Sequence, residues 1–465
     1  MKKTSKVTKI FSCPIPYVCG IMVALGVILI WTGLSAKSND DYNAEIMDFV
    51  NPSAPEVDNS GIKRVIIKPF NEQFNGELRN RNDVDVQHEF EGKFTANVPV
   101  TSIPELEQFA DVEEVVKLSL LTLDNPNQQE VYVCGDGVVH PSEQCGEPGL
   151  SSCSGNKVCY FCKCVNPNMP GTEARTCFPR AQKAYNVTQV NGGQITAGSG
   201  INVAVLDTGA YTQHKDLDIK VCKDATQKGM REGCEDTIGH GTHVAGIVSA
   251  NGGGDQKGIY GVAPQVNLWA IKVCYSTNCN DDDIAEGINY AAKRGANIIS
   301  MSFGDPNEAP LIKEAIDKYP DVLFIAAAGN SGSQPNTIQY PAAYPNVVAV
   351  AAIDSNKRVA SYSSRGINDG NDSIISAREI ELAAGGSSVE STYYNINYNG
   401  CYVRMSGTSM AAPTVSGLAA KVWQGSADAT RMYLRQIAQD ITTASGGGAG
   451  VGYDIASGYG LPVAP

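Results

Sequence analysis

After Pro179 the chain alternates apolar runs with amphipathic stretches, and this pattern most narrows what it can fold into. The runs at 201–206, 266–273, 296–303, 322–328 and 347–353 are apolar at odd and even positions alike. A strand of that kind must be buried on both faces. Between the runs, 240–250, 283–294 and 308–318 carry helical spacing. Doubly buried strands separated by helices specify an α/β fold with a mainly parallel sheet covered on each side. Ligands of such sheets collect beyond the carboxyl ends of the strands, so polar residues there are the first candidates for chemistry.

Three motifs occupy such positions. "VLDTG" puts Asp207 directly after a strand, "HGTHVAG" puts His240 and His243 at a helix start, and "GTSMAAP" puts Ser409 at another. Singly, an Asp there is a turn or cap residue, a His a core group and a Ser a helix cap. Jointly they supply a hydroxyl, an imidazole to take its proton and a carboxylate to orient the ring, which is what nucleophilic catalysis by serine needs. "FIAAAGNSG" ends a further strand at Asn330, and "SMSFGDP" follows another.

These motifs, in the order Asp, His, Ser, resemble the subtilisin-like serine proteases, the subtilases, from about Pro179 to the end. The resemblance implies a three-layer fold and a serine endopeptidase, with Ser409 as nucleophile, His240 as base and Asp207 as its orienting carboxylate. It makes His243 a packed neighbour. Asn330 and the Ser409 amide become the donors to the oxyanion, and no cofactor is required for the chemistry. Ser302, Phe303, Gly304 and Gly329 are implied to line the substrate cleft, with Gln339 at the pocket floor where many relatives have glycine. The other substrate edge is expected near 274–280, followed by Asp281, Asp282 and Asp283. Those acids either select basic substrate side chains or form a solvated helix start favoured by the dipole. Members of the family often hold calcium where this chain reads "SANGGGDQKGIYGVAP". Asn251 and Asp255 fall short of the six or more oxygens a hard cation takes, so structural calcium is expected without assigned ligands.

Upstream, "KRVIIKPF" reads as a strand, "DVDVQHEFEG" and "KFTANVPV" as a hairpin, "SIPELEQFA" as a helix and "VEEVVKLSL" as one more strand. This small α+β (ferredoxin-like) module over 61–123 resembles the family's propeptide, an intramolecular inhibitor. A cysteine-rich, disulfide-type module follows at 124–170, and the catalytic domain is expected at 171–465. The activation cut is placed either near 120–128 or near 166–180.

Residues 37–60 are polar and read as a linker. At the N-terminus, four lysines precede an uncharged stretch over 10–36. Segment 1–36 is therefore a signal peptide or a membrane anchor, the stretch being long enough to span a bilayer. Either places the remainder outside the cytoplasm or on the outer face of the membrane. Twelve of the fourteen cysteines lie beyond that segment, an even number that reads as disulfides in an exported chain. A net charge of −13 argues against nucleic-acid binding; the resemblance implies polypeptide substrates as partners. The competing reading is a catalytically silent surface-binding protein on the same scaffold.

Overall fold

A computed structural model describes residues 61–123, 158–160, 163–165, 179–371, 373–395, 398–444 and 447–465. The targeting segment, the linker and most of the cysteine-rich module lie outside the described residues. Among the described residues no helix is long and apolar enough to cross a membrane.

The N-terminal module is a four-stranded antiparallel sheet. Its strands are β1 (Ile62–Pro69), β2 (Asp85–Phe90), β3 (Lys93–Pro99) and β4 (Ala110–Glu114), in the order β2-β3-β1-β4. Helix α1 (Glu72–Arg79) is capped by Asn71, whose side chain accepts from the Phe74 amide. A short helix α2 (Ile103–Leu106) leads into β4. Period-2 alternation gives β1 two buried faces. Val65 and Ile67 join Phe94, Ala96, Val98 and Leu106 in the module's own core, whereas Ile66 belongs to the core of the large domain.

The stretch 112–120, expected as one strand, is two. β4 stays in the module's sheet, Glu114 pairing with Val65. After Val115 and Val116 the chain leaves as β5 (Lys117–Leu120) and enters a cleft of the large domain. A hairpin, β6 (Val158–Tyr160) and β7 (Lys163–Val165), is described from the cysteine-rich module.

Helix α3 (Tyr185–Gln189) opens the large domain. Its sheet comprises β8 (Asn202–Asp207), β9 (Ile219–Asp224), β10 (Arg231–Glu232), β11 (Asn267–Lys272), β13 (Ile298–Met301), β15 (Leu323–Ala327), β16 (Val347–Ile353) and β17 (Leu382–Gly385). The order is β10-β9-β11-β8-β13-β15-β16-β17, parallel except for β10. Every residue of β13, β15 and β16 is buried, as the unbroken apolar sequences of β15 and β16 require, and the one polar residue of β13, Ser300, accepts from Ser416 Oγ. Helices α4 (His240–Ser249) and α7 (Thr408–Lys421) pack together on one face. Helices α5 (Asp281–Lys293) and α6 (Pro310–Asp317) pack together on the other, and α8 (Ala427–Gln436) follows α7. The expected α/β three-layer architecture is thus what the chain adopts.

Among the short strands outside this sheet are β12 (Asn278–Asn280) and β14 (Phe303–Gly304), which flank β5. The run expected as one strand over 296–303 therefore breaks at Ser302. A hairpin of β18 (Val389–Asn395) and β19 (Tyr398–Met405) packs on α4 and leads into α7.

Candidate active site

The carboxyl end of β8 and the first turns of α4 and α7 meet in one place. Asp207 closes β8, His240 is the first residue of α4 and Ser409 the second of α7, all fully buried. His240 Nδ1 lies 2.7 Å from Asp207 Oδ1, which also accepts from the Thr208 amide at 2.7 Å. The other ring nitrogen, Nε2, makes no hydrogen bond among the described residues.

What holds α4 in this pose is Asp236, which motif reading missed. Its Oδ1 accepts from the Ile238 and Gly239 amides and from Thr208 Oγ1, and its Oδ2 from the Thr242 amide and hydroxyl, all at 2.6–3.0 Å. This buried carboxylate thus takes one of the helix's orphan amides, that of Thr242, while Thr208 Oγ1 takes that of Gly241, and it ties the His240 turn to the Asp207 turn. The signal available was an acid four residues before His240. Gly241 is obligatory here, since a Cβ would sit 2.1 Å from the Gly209 carbonyl oxygen. His243, one turn on, is buried with Nε2 at 3.0–3.1 Å from the Val389 and Val403 carbonyls. Burial pushes its pKa down to about 3, so it stays neutral.

Ser409 Oγ donates to the Ser302 carbonyl at 2.8 Å, not to His240. The Ser302 hydroxyl in turn donates to the Ser409 carbonyl at 3.0 Å. That carbonyl would ordinarily accept from the residue four positions on, but Pro413 has no N–H. The proline inside α7 therefore frees an acceptor, and Ser302 takes it. Asn330 sits beyond β15. Its Oδ1 accepts from the Thr408 amide and hydroxyl at 3.0 and 2.9 Å, which turns Nδ2 the opposite way. Nδ2 is buried and has no partner among the described residues.

β5 fills the cleft beside these groups. It is the middle strand of a three-stranded antiparallel sheet, β12-β5-β14. The Leu120 amide donates to the Thr277 carbonyl at 3.0 Å, Leu121 to Ser302 at 3.1 Å and Leu123 to Ser406 at 2.8 Å. The Leu121 carbonyl accepts from the Ser409 amide at 3.1 Å. Gly407 makes room for it, because a Cβ there would lie 2.2 Å from that oxygen. Leu118, Leu120 and Leu121 are all buried, contributing at most roughly 1.5–3 kcal/mol each. A Cβ on Gly304 would meet both Leu121 Cδ1 at 3.1 Å and Gln339 Oε1 at 2.9 Å, and one on Gly329 would meet Gln339 Cγ at 3.0 Å. Gln339 therefore forms one side of the Leu121 pocket, anchored by Nε2 to Ser331 Oγ. Phe303 is wholly buried, its backbone paired with Leu120.

Asp281, Asp282 and Asp283 are not a solvated helix start: all three are fully buried. Arg64 of β1 pairs with Asp282 at 2.8 Å and Asp283 at 2.6 Å. Thr95 of β3 donates to Asp282, and His88 Nε2 lies 2.8 Å from Asp283. A basic side chain does meet these acids, but it comes from the module's sheet rather than from the strand in the cleft. Asp281 keeps to the cleft edge, its amide donating to the Val116 carbonyl.

The sequence profile of the subtilase family matches residues 198–460. The chain is 42% identical over 300 residues to subtilisin of Bacillus sp. (strain TA39), covering 60% of this chain and 70% of that one. It is also 42% identical over 230 residues to subtilisin DY of Bacillus licheniformis, covering 48% and 77%. Among solved structures, sphericase aligns at 43% identity with a TM-score of 0.58, over 62% of this chain and 99% of its own. The S41 psychrophilic protease aligns at 40% with the same TM-score and the same coverage. A parallel sheet with an Asp–His pair and a helix-mounted serine at its carboxyl ends defines the class, a subtilisin-like serine peptidase. The chain belongs to the subtilase family.

Proposed function

We propose that the chain is the precursor of an exported serine endopeptidase that first cuts itself between Leu121 and Thr122. The observation that carries this reading is the Leu121 carbonyl, held by the Ser409 amide while its strand is paired on both sides. In the reaction, Ser409 Oγ exchanges its bond to Ser302 for one to His240 Nε2, passes its proton there and attacks the Leu121 carbonyl carbon. Asp207 keeps Nδ1 protonated and stabilises the imidazolium. The Ser409 amide and Asn330 Nδ2 receive the negative oxygen, and His240 then protonates the departing Thr122 amine. Water completes the cycle by the same route. Later substrates enter as β5 does, with leucine-like side chains at the first, second and fourth positions before the cut.

On this reading 61–121 is the propeptide and the cysteine-rich module stays on the mature N-terminus. The basic-then-apolar start and the disulfides support export, with the mature enzyme outside the cell or at the outer face of the membrane. Incubated wild-type protein should yield a fragment whose N-terminal sequence begins Thr-Leu-Asp-Asn. A mature N-terminus within 166–180 would refute the cut at Leu121.

The contact between propeptide and α5 should depend on pH. Burial pushes Asp281 up to about 8, with Asp282 adding to the shift, and raises Asp283 and Glu286 as well. A carboxyl that ionises less readily in the contact favours the contact while protonated. Its contribution is complete below the ordinary range near pH 4 and is lost as pH rises through about 8. Released propeptide should therefore inhibit the mature enzyme more weakly at pH 8.5 than at pH 6, by up to about tenfold per pH unit for each proton taken up. An inhibition constant flat across that range would refute the linkage.

Structural calcium fits the loop after α4. Asp216 is buried and uses Oδ2 for the Ile259 amide and Tyr402 hydroxyl, while Oδ1 has no partner among the described residues. It faces Gly253 and Gly258 beside Asp255. Asn251 and Asp255 each spend Oδ1 on a backbone amide, of Gly253 and Lys257, but Asp255 has a second oxygen, Oδ2, held only loosely at 3.5 Å from Lys215. Asp216, Asp255 and loop carbonyls would hold the ion, which would brace the loop without entering the chemistry. Chelation should lower Tm by about 5 °C or more, and an unchanged Tm would remove the assignment.

A further inference from the structure

β12 belongs to a sheet only through β5. Among the described residues its one strand partner is β5, with Asn278, Cys279 and Asn280 opposite Ser119, Leu118 and Lys117. The Thr277 carbonyl accepts from Leu120, and the Asp281 amide donates to Val116. Take away the guest strand, and the backbone bonds just named are gone. Within the large domain, the bonds that segment 275–280 then keeps include one from the Asn278 amide to Ser276 Oγ, one from Asn280 Nδ2 to Asp283 and the contact of Cys274 with Cys279. The latter is sealed by the Cys274–Cys279 disulfide, both cysteines fully buried. Cys274 itself is fixed from below, its amide and that of Val273 donating to the Asp207 carbonyl at 3.2 and 2.8 Å.

We infer that the Cys274–Cys279 disulfide is a positioning device for substrate: it pre-orders the edge strand that pairs with the residues two to four before the cut, and anchors that edge to the Asp207 turn. An unordered edge would have to be fixed at each binding event, at a cost in backbone entropy. A short closed loop removes part of that cost before substrate arrives. The second described disulfide, Cys222–Cys234, joins β9 to the residue two after β10 at the edge of the main sheet; the Cys234 carbonyl accepts from the Ala210 amide, and the strands that pair with β5 are β12 and β14. That disulfide is the natural comparison.

The inference rests on the proposed peptidase activity and is tested by substrate length. Mature enzyme, its concentration fixed by active-site titration, is assayed on a single-residue leucine ester and on a tetrapeptide amide ending in leucine. For the double variant Cys274→Ser/Cys279→Ser, the ratio of the tetrapeptide KM to the ester KM should rise about tenfold. For Cys222→Ser/Cys234→Ser the ratio should stay at the wild-type value, whatever happens to stability. Equal ratios in all three enzymes would overturn the inference, as would a tenfold rise in both variants. Wild-type enzyme that cleaves neither substrate would instead defeat the peptidase reading, and this inference with it. Should the first variant fail to mature, hydrogen exchange on wild-type mature enzyme decides. The Asn278 amide, whose acceptor Ser276 Oγ lies within the segment, should exchange slowly without substrate and fast after thiol reduction, and exchange that is fast before reduction overturns the inference.

Discussion

Replacing Ser409 with alanine is expected to leave the chain uncut at Leu121 and to lower protein hydrolysis by about 10⁶-fold, the scale known for subtilisin's own nucleophile rather than one derived from this chain. The fold should survive the change. Ser409 is fully buried at the second position of α7; its hydroxyl makes one bond, to the Ser302 carbonyl, and its backbone bonds remain. The propeptide should also stay seated, because the Leu121 carbonyl is held by the Ser409 amide and not by its side chain. The variant is thus the form in which the intact precursor can be isolated. Gel analysis after prolonged incubation reads the outcome, and a processed S409A chain in the absence of any other peptidase would rule out Ser409 as the nucleophile.

Asn330→Leu should lower kcat by about 10²–10³-fold with KM little changed, again on the scale of the corresponding effect in subtilisin. Ground-state substrate already has the Ser409 amide, as the Leu121 carbonyl shows. Asn330 Nδ2, buried and without a partner among the described residues, gains one only when the oxygen moves out of the carbonyl plane and takes charge. An interaction made only in the transition state appears in kcat. The substitution also deprives Thr408 of its acceptor, so Thr408→Val serves as the companion. A loss as large in T408V as in N330L would assign the effect to the Thr408 turn instead.

Much of this was legible before any coordinates. β8, β11, β15 and β16 lie within a residue or so of where two-sided burial puts them, because apolar residues at consecutive positions through the middle of each strand leave few alternatives. Asp207, His240, Ser409 and Asn330 could be proposed because each is embedded in a long motif that also supplies the glycines its backbone needs. The misses share a cause. β9, half exposed and carrying lysines, does not read as a strand until β11 is beside it. The break between β4 and β5 depends on a cleft hundreds of residues downstream, and local pattern across Val115 and Val116 continues unbroken. Asp282 and Asp283 read either as selectors of basic substrate side chains or as solvated, because their partners, Arg64 and His88, lie some two hundred residues away. Asp216 and Asp236 stand outside any motif and are recognisable only by what surrounds them.

The sheet β12-β5-β14 has a consequence for what the mature enzyme can digest. Once its middle strand leaves, two edges face each other across a gap one strand wide, two inter-strand spacings or roughly 9–10 Å. A segment can fill it only if both its edges are free. A strand within a sheet has at most one free edge, and a helix has already spent its amides on itself. The cleft therefore measures whether a polypeptide is folded before it reads any side chain, and native proteins should be cut only where a terminus or loop opens far enough to be threaded in.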